Sequence, residues 1–327
     1  MKLWIEALLL TLLAALFANY VLAATPDRLI GLHSAQVMSQ SMPWIAREAG
    51  LFKKYDLDFN LVFIPSSPIA TAATLSGDAE IGVTGAVGNV RAIVQGSTDL
   101  VFIGGMKNFL PHSIMGKADI KTPQDLKGKK VAVGRFGGNT HYFVIQALRR
   151  LGMDTSKDIQ TIQTGGGPET VASLLGGNVD AAGLVAPGDF QVASRGYRYV
   201  VNGFDLKIPY AATCIVTLRS LINKRGPVIG RFMRSMAEAS KLMHSDRALV
   251  YRVLGKYLRI TDQKVLDAAY NSEIKAMEQR LEIHDAALQA SLDEIAPLDA
   301  RAKAIKPADM IDRRYLVELE KSGVFAK

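Results

Sequence analysis

Leu75-Ser76-Gly77-Asp78-Ala79-Glu80-Ile81-Gly82 has a counterpart one hundred positions later, Leu175-Gly176-Gly177-Asn178-Val179-Asp180-Ala181-Ala182. In both segments a glycine after a helix is followed by an acidic residue and then by small or apolar residues, which predicts a helix, a turn and a buried strand. The correspondence runs without a gap from Ala72 and Ala172 to Gly96 and Gly196. The chain therefore contains two similarly built units.

Strands and helices alternate around each copy of this segment. The predicted strands cover 28–33, 58–64, 79–83 and 100–103 in the first unit, and 129–133, 159–163 and 179–184 in the second. The helices between them are predicted over 43–49, 69–75 and 86–95, from Thr122 onward, over 139–151, and over 167–175. Strands that alternate with helices of this length are typical of βαβ units with a largely parallel sheet. The fold class is α/β.

The last third of the chain has a different pattern. One more strand is predicted over 210–218, followed by helices over 232–244, 248–258, 262–277 and 285–295. Amphipathic helices need another surface on which to bury their apolar faces. We expect this region to return to the first unit and complete it.

The N-terminus predicts a secretory signal peptide. Met1-Lys2 is followed by an unbroken apolar run over 7–18 and by small residues that suit cleavage after about Ala23. This run is shorter than the roughly 20 residues that a membrane-spanning helix needs. An N-terminal anchor helix remains the alternative.

The composition indicates which binding partners and which cellular compartment are compatible with this chain. The net charge is +8, but the basic residues are scattered and form no run with interleaved aromatics, which argues against nucleic acid and suits an anionic ligand or an acidic surface. Cys214 is the single cysteine. It lies in an apolar segment that reads as a buried strand, and one cysteine excludes an internal disulfide or a Cys-x-x-Cys metal site. No cysteine near Ala23 can carry a lipid, so we expect a free protein in the periplasm.

Four segments carry a family resemblance. They cover 43–58 (PWIAREAGLFKKYDLD), 75–82, 125–133 (DLKGKKVAV) and 174–182. In this order they resemble the nitrate/sulfonate/taurine type of ABC-transporter substrate-binding proteins. The resemblance implies a type II periplasmic binding protein fold, in which two α/β lobes are joined by two crossovers and hold a small ligand between them. It also implies a membrane permease and a cytoplasmic ATPase as partners.

The resemblance suggests a division of the chain. After a signal peptide at 1–23, we expect lobe 1 over 24–108 and 207–327 and lobe 2 over 109–206, with hinge crossings near 106–111 and 204–210. Burial of the ligand would stabilise a closed arrangement of the lobes by hinge closure. We expect a monomer without a cofactor or a metal.

Physical reasoning places the ligand site at particular loops. In open α/β sheets, ligands bind beyond the carboxyl ends of the strands, where helix N-termini attract anions. The candidate ligand-binding residues in those loops are Ser34, Gln36, Ser39, Gln40, Ser41, Thr84, Gly85, Ala86, Phe136, Gly138, Asn139, Thr140, His141, Gly167, Pro187 and Asp189.

Several of these candidates also have a purely structural interpretation. We expect one serine of 34–41 to cap the following helix, and Asn139 to cap the helix after it. The glycines at 165–167 lack the Lys-Ser/Thr of a phosphate-binding loop and predict only a helix entry. Asp189 is expected to cap a helix; if it faced the ligand instead, it would favour an ammonium group.

Catalytic patterns do not emerge from the sequence. HExxH and GxSxG motifs are absent, and Cys214 is expected to be inert in its apolar strand. We therefore predict a binding protein and not an enzyme. Two alternatives remain open: an enzyme of the same fold acting on a pyrimidine or a chorismate-derived compound, although the CCCFC motif of the yeast-type pyrimidine-precursor enzyme is absent, and a binding protein that feeds a sensor receptor.

Overall fold

The computed structural model describes residues 25–325. The predicted signal peptide at 1–23 lies outside the described residues. Within them, no helix combines the length and the apolar character that crossing a membrane requires.

The first sheet contains five strands in the order β2-β1-β3-β10-β4. Its strands are β1 (Asp27–His33), β2 (Leu57–Phe63), β3 (Ile81–Thr84), β4 (Leu100–Phe109) and β10 (Pro209–Leu218). β1 pairs in parallel with β2 and β3, whereas β10 is antiparallel to both β3 and β4. The helices that connect the first four strands are α1 (Met42–Glu48), α2 (Leu51–Lys54), α3 (Ser67–Leu75) and α4 (Ala86–Val94).

The second sheet repeats this arrangement in the order β7-β6-β8-β5-β9. Its strands are β5 (Ser113–Gly116), β6 (Lys129–Val133), β7 (Ile159–Gln163), β8 (Ala181–Leu184) and β9 (Arg198–Asn202), with the helices α5 (Asn139–Arg150), α6 (Gly167–Leu175), α7 (Gly188–Ala193) and α8 (Gly203–Leu206). In both sheets the first three strands of the order are parallel to one another. The fourth strand, β10 in the first sheet and β5 in the second, is antiparallel to both of its neighbours. The predicted internal repeat is confirmed at the level of topology.

The repeated acidic residue has the same role in each sheet. The Glu80 carboxylate accepts the Ile30 N–H at 3.0 Å, and the Asp180 carboxylate accepts the Lys130 N–H at 3.0 Å. These two pairs are again one hundred positions apart. The turn glycines Gly77 and Gly177 both have positive φ, 83° and 74°, which a residue with a Cβ adopts with difficulty. The repeat preserves backbone geometry as well as strand order.

Two connections join the sheets, one from β4 to β5 and one from β9 through α8 to β10. They pass within backbone contact of each other, because the Gly203 N–H donates to the His112 carbonyl at 2.7 Å. A Cβ on Gly203 would lie 2.3 Å from that carbonyl oxygen and 2.5 Å from the Leu110 oxygen. The chain has the α/β type II periplasmic binding protein fold, with two lobes and two crossovers.

The C-terminal helices pack on the first sheet, as predicted. They are α9 (Arg219–Ser245), α10 (Arg247–Leu258), α11 (Gln263–Glu273), α12 (Asp285–Ile295) and α13 (Arg314–Lys321). Met233 and Met236 of α9 share a buried cluster with Ile45 and Phe59. α12 buries Leu288 in a second cluster on the opposite side. α9 begins earlier than predicted and has a non-helical residue at Arg225, just before Pro227.

Some sequence predictions were wrong or incomplete. The Thr122 signal begins only a short 3-10 turn, Pro123–Leu126, although the predicted carboxylate of Asp125 does accept the Thr122 N–H. β5 and β9 were missed, because β5 has four residues and β9 is a largely exposed edge strand. The prediction for Cys214 is confirmed: it is buried in β10, and its thiol donates to the Thr84 carbonyl at 3.0 Å.

Candidate functional site

A cavity of about 340 Å³ lies between the two sheets. The first sheet contributes the loop after β1 together with residues of β4 and β10. The second sheet contributes the loops after β6, β7 and β8. These loops follow the carboxyl ends of parallel strands, which is where the fold is expected to bind a ligand.

The structure brings many of the predicted residues to this cavity. Those that line it are Ser34, Gln36, Ser39, Gln40, Gly138, Asn139, Thr140, Gly167 and Pro187. Those that lie outside its lining are Ser41, Thr84, Gly85, Ala86, Phe136, His141 and Asp189.

The loop after β1 is held together by its own polar groups. The Gln40 Oε1 accepts the N–H groups of Ser34 at 2.7 Å and Ala35 at 2.8 Å. Ser41 occupies the N-cap position of α1, but its hydroxyl donates backward to the Met38 carbonyl at 2.7 Å and makes no capping bond. The expectation of a serine cap is therefore wrong, since this hydroxyl supports the 3-10 turn that precedes α1.

Asn139 is not the cap of α5. Gly138 takes that position, with no side-chain cap, and Asn139 is the first helical residue. Its Nδ2 instead donates to the Ala212 carbonyl on β10 at 2.7 Å. Gly85 approaches from the first lobe, and a Cβ there would lie 2.2 Å from the Asn139 Oδ1. Asn139 thus bonds the N-terminus of α5 in one lobe to a strand of the other.

Thr140 also has an internal partner, because its hydroxyl accepts the Gly134 N–H at 3.0 Å. His141 packs edge-on against Phe136 at 5.3 Å between ring centroids, and burial together with the Arg91 charge lowers its pKa. At α6, the Glu169 carboxylate accepts the Gly166 N–H at 3.0 Å. The first turn of α6 is therefore already capped by a carboxylate, whereas that of α5 is not.

Asp189 is buried behind the cavity wall. Its Oδ1 accepts the Phe190 N–H at 2.8 Å, and the Ser113 hydroxyl lies 3.5 Å from its Oδ2. The pKa of Asp189 is raised to about 7, mainly by burial; the backbone bond from Phe190 lowers it and the Glu273 charge raises it. The carboxyl belongs to the contact between α7 and α11 and not to the cavity lining.

Sequence reasoning missed three basic side chains that line the cavity: Lys107, His112 and Arg135. Lys107, on β4, donates to the Glu273 carboxylate at 2.7 Å, and these side chains are 2% and 0% exposed. Arg135 directly follows the β6 region, and its guanidinium has no hydrogen-bond or ion-pair partner within residues 25–325. The one sequence signal for these three residues was Lys107, an isolated lysine in the apolar run of β4.

The charge of the lining has one sign. None of the described residues that line the cavity is acidic, whereas Arg135 is unpaired there. The first N–H groups of α5, an uncapped helix, add the positive end of a helix dipole. Residues 25–325 also contain no group of three or more His, Cys, Asp or Glu side chains that could hold a metal ion. The positive lining and the helix N-terminus suit a small anion.

The chain is similar in sequence to bacterial binding proteins. A binding protein of Brucella abortus is 29% identical over 154 residues, 47% of this chain and 46% of that protein. The taurine-binding periplasmic protein of Escherichia coli K12 is also 29% identical over 154 residues, 46% of this chain and 44% of that protein. The matched region thus spans about half the length of these curated relatives.

Among solved structures, the alkanesulfonate-binding protein SsuA from Xanthomonas axonopodis, bound to MOPS, is similar with a TM-score of 0.75. It is 21% identical and covers 89% of this chain and 100% of its own. The desulfurization enzyme DSZB has a TM-score of 0.70 at 12% identity, over 90% of this chain and 99% of its own. At these identities the likeness shows the fold, and the fold is shared by binding proteins and an enzyme.

The family assignment comes from the sequence itself. The sequence pattern described as NMT1/THI5 like matches residues 41–247, from the start of α1 to the start of α10. This span includes every strand from β2 to β10 and the loops of the cavity except most of the one after β1. The chain belongs to the NMT1/THI5-like family.

Proposed function

We propose that this protein is the periplasmic solute-binding subunit of an ABC-type importer and that it binds a small organic anion in the cavity between its two lobes. The observation that carries this proposal is Arg135, whose unpaired guanidinium lines a cavity without a lining carboxylate in the described chain. A guanidinium offers several N–H donors in a rigid plane, which suits an oxyanion. The uncapped first turn of α5 supports the same ligand charge.

A sulfonate is the class of anion that we favour. The E. coli relative is named for taurine and the Xanthomonas neighbour for alkanesulfonates. The cavity volume of about 340 Å³ and its apolar lining, which includes Val37, Val171, Leu184 and Leu258, leave room for an organic substituent beside the anionic group.

Ligand capture would close the two lobes. We assign lobe 1 to 24–108 and 207–327 and lobe 2 to 109–206, because the strands of each sheet come from one of these segments, apart from Phe109 at the end of β4. The cavity has walls from both, so a ligand there favours the arrangement in which they meet. A monomeric binding protein of this kind would deliver its ligand to a permease that is driven by a cytoplasmic ATPase.

A role as an enzyme has less support. DSZB demonstrates that this fold also hosts catalysis, so the fold alone does not distinguish a binding protein from an enzyme and the side chains must be considered. The single cysteine of this chain, Cys214, is buried in β10, and burial raises the pKa of its thiol. A thiol with a raised pKa is a poor nucleophile.

Binding of pentanesulfonate to the full chain, measured by calorimetry and by thermal shift, tests the proposal. Replacing Arg135 with alanine should weaken binding about 10- to 100-fold, because a charge-assisted hydrogen bond is lost. Arg149→Ala is the matched control, since Arg149 lies exposed at the far end of α5. If no organic anion binds, or if Arg135→Ala binds as tightly as the wild type, the proposal is wrong.

A further inference from the structure

Four polar side chains, which we call the floor of the cavity, lie on or near β4 and β10, the two strands that the crossovers connect to the second sheet. Lys107 on β4 and Thr213 on β10 are register partners, and His112 lies in the connection from β4 to β5. The Ser39 hydroxyl from the first loop lies 2.9 Å from the Thr213 hydroxyl. All four side chains line the cavity, and all four are at least nine-tenths buried. Such a polar floor is unusual, because buried polar groups are costly unless they have partners.

The charge of this floor is already compensated. The Lys107 ammonium is 2.7 Å from the Glu273 carboxylate, and both side chains are removed from solvent. The Glu273 charge also acts on the buried carboxyl of Asp189, whose pKa it raises. A ligand anion placed on this floor would meet a lysine whose charge is already neutralised by Glu273. The free positive charge of the cavity is instead at Arg135.

His112 presents an uncharged group to the cavity. Burial, with the Lys107 charge as a smaller cause, lowers its pKa to about 3, so the imidazole is neutral at any physiological pH. Its ring packs against Phe143 with 5.6 Å between the ring centroids. The backbone carbonyl of His112 accepts the Gly203 N–H, which fixes the residue from the other crossover.

The His112 imidazole has no hydrogen-bond partner in the part of the chain that the structure describes. Its Nδ1 is buried without one, and its side chain makes no hydrogen bond with any other residue of 25–325. A neutral imidazole has one donor and one acceptor, and the Lys107 ammonium has three donors, one of which is used by Glu273. This floor can therefore both donate to and accept from a ligand without adding net charge.

We propose that the floor formed by Lys107, His112, Ser39 and Thr213 is a second subsite that binds an uncharged oxygen of the ligand, such as a hydroxyl, and that His112 determines this specificity. The inference rests on the proposed function, which places the anionic group at Arg135 and α5. The ligand is then an organic anion with a neutral polar group, and it carries no ammonium. A site built to hydrogen-bond such a group discriminates strongly against an analogue that lacks it.

Three sulfonates of equal length test the inference by calorimetry with the full chain. They are pentanesulfonate, 4-hydroxybutanesulfonate and 4-aminobutanesulfonate, which end in a methyl, a hydroxyl and an ammonium group. We expect the hydroxyl compound to bind about 10-fold more tightly than the methyl compound, in proportion to one hydrogen bond. The ammonium compound should bind most weakly, because it would be desolvated beside the Lys107 ammonium and no carboxylate of the described residues lines the cavity.

Variants of His112 separate recognition from folding. His112→Phe keeps a ring against Phe143 and should abolish the preference for the hydroxyl, so that 4-hydroxybutanesulfonate and pentanesulfonate bind this variant with equal affinity. His112→Gln retains a donor and an acceptor and should keep part of the preference. His284→Phe is the matched control, since that side chain is 54% exposed and lies away from the cavity lining.

The outcomes distinguish the two proposals. Sulfonate binding with no preference between hydroxyl and methyl in the wild type overturns the second subsite and leaves the proposed function intact. A preference that persists in His112→Phe removes His112 from the subsite. Failure of every sulfonate to bind overturns the proposed function, and the second subsite with it. The comparison of ligands on the wild type holds even if His112→Phe does not fold.

Discussion

The ion pair between Lys107 and Glu273 provides the sharpest test of the energetics of the fold. Its two side chains are 2% and 0% exposed, and the charged atoms are 2.7 Å apart. Glu273→Gln would leave the Lys107 ammonium buried without a counter-charge, which costs about 3–5 kcal/mol. Lys107→Met should cost a similar amount. In the double variant Lys107→Met/Glu273→Leu no charge is left buried, so its free energy of unfolding should lie within about 1–2 kcal/mol of the wild type.

Guanidinium unfolding of the four proteins at pH 7 gives the interaction energy from the cycle. The matched surface control is Lys54→Met, which breaks the 2.7 Å pair with Glu238; Lys54 is 57% exposed, so we expect less than about 1 kcal/mol. If each single variant costs no more than the double variant, the pair is not a buried, mutually dependent unit. Glu273 would then not neutralise the charge of Lys107 at the floor of the cavity.

Two further predictions concern closure and pH. Burial raises the pKa of Asp189 to about 7, above the roughly 3.9 of an unfolded aspartate, so the folded state binds the proton more tightly. Its contribution to stability is therefore full below about pH 4 and is lost as the pH rises towards 7, by at most about 4 kcal/mol. Asp189→Asn should flatten this part of the pH profile in urea unfolding between about pH 4 and 7, and an unchanged slope would contradict the assignment. Gly85→Ala would place a Cβ 2.2 Å from the Asn139 Oδ1 and displace the bond to Ala212, so ligand affinity should fall about 10-fold. Calorimetry in an Asn139→Ala background should show little additional effect, and additive losses would count against this mechanism.

The loops that line the cavity could be predicted from the sequence, because the positions of strands along the chain and the starts of helices have strong local signals. The rule that ligands bind beyond the carboxyl ends of strands led to Ser34 and Thr140, which do line the cavity. The same rule could not lead to Lys107 or His112. They lie on and after a strand that runs into a crossover, and only the pairing of β4 with β10 brings them to the floor.

The sequence also could not predict which way individual side chains point. Phe136 was predicted and is exposed, whereas its neighbour Arg135 lines the cavity. Asn139 has the residue type of a helix cap, but the Ala212 carbonyl on β10 offers its side chain a tertiary partner. Such contacts depend on residues far away in the chain. The resemblance to a known family therefore supported the fold more firmly than it supported any single contact.

The order of strands in the first sheet has a consequence for how the chain folds. β10 lies between β3 and β4, although more than ninety residues separate it from β4 in the sequence. The segment from β5 to β9 is continuous, so the second sheet can assemble as soon as that segment is available. The first sheet stays divided between β3 and β4 until β10 arrives. Such long-range pairing slows folding, so a nascent chain stays incomplete in its first half until most of its sequence has been synthesised.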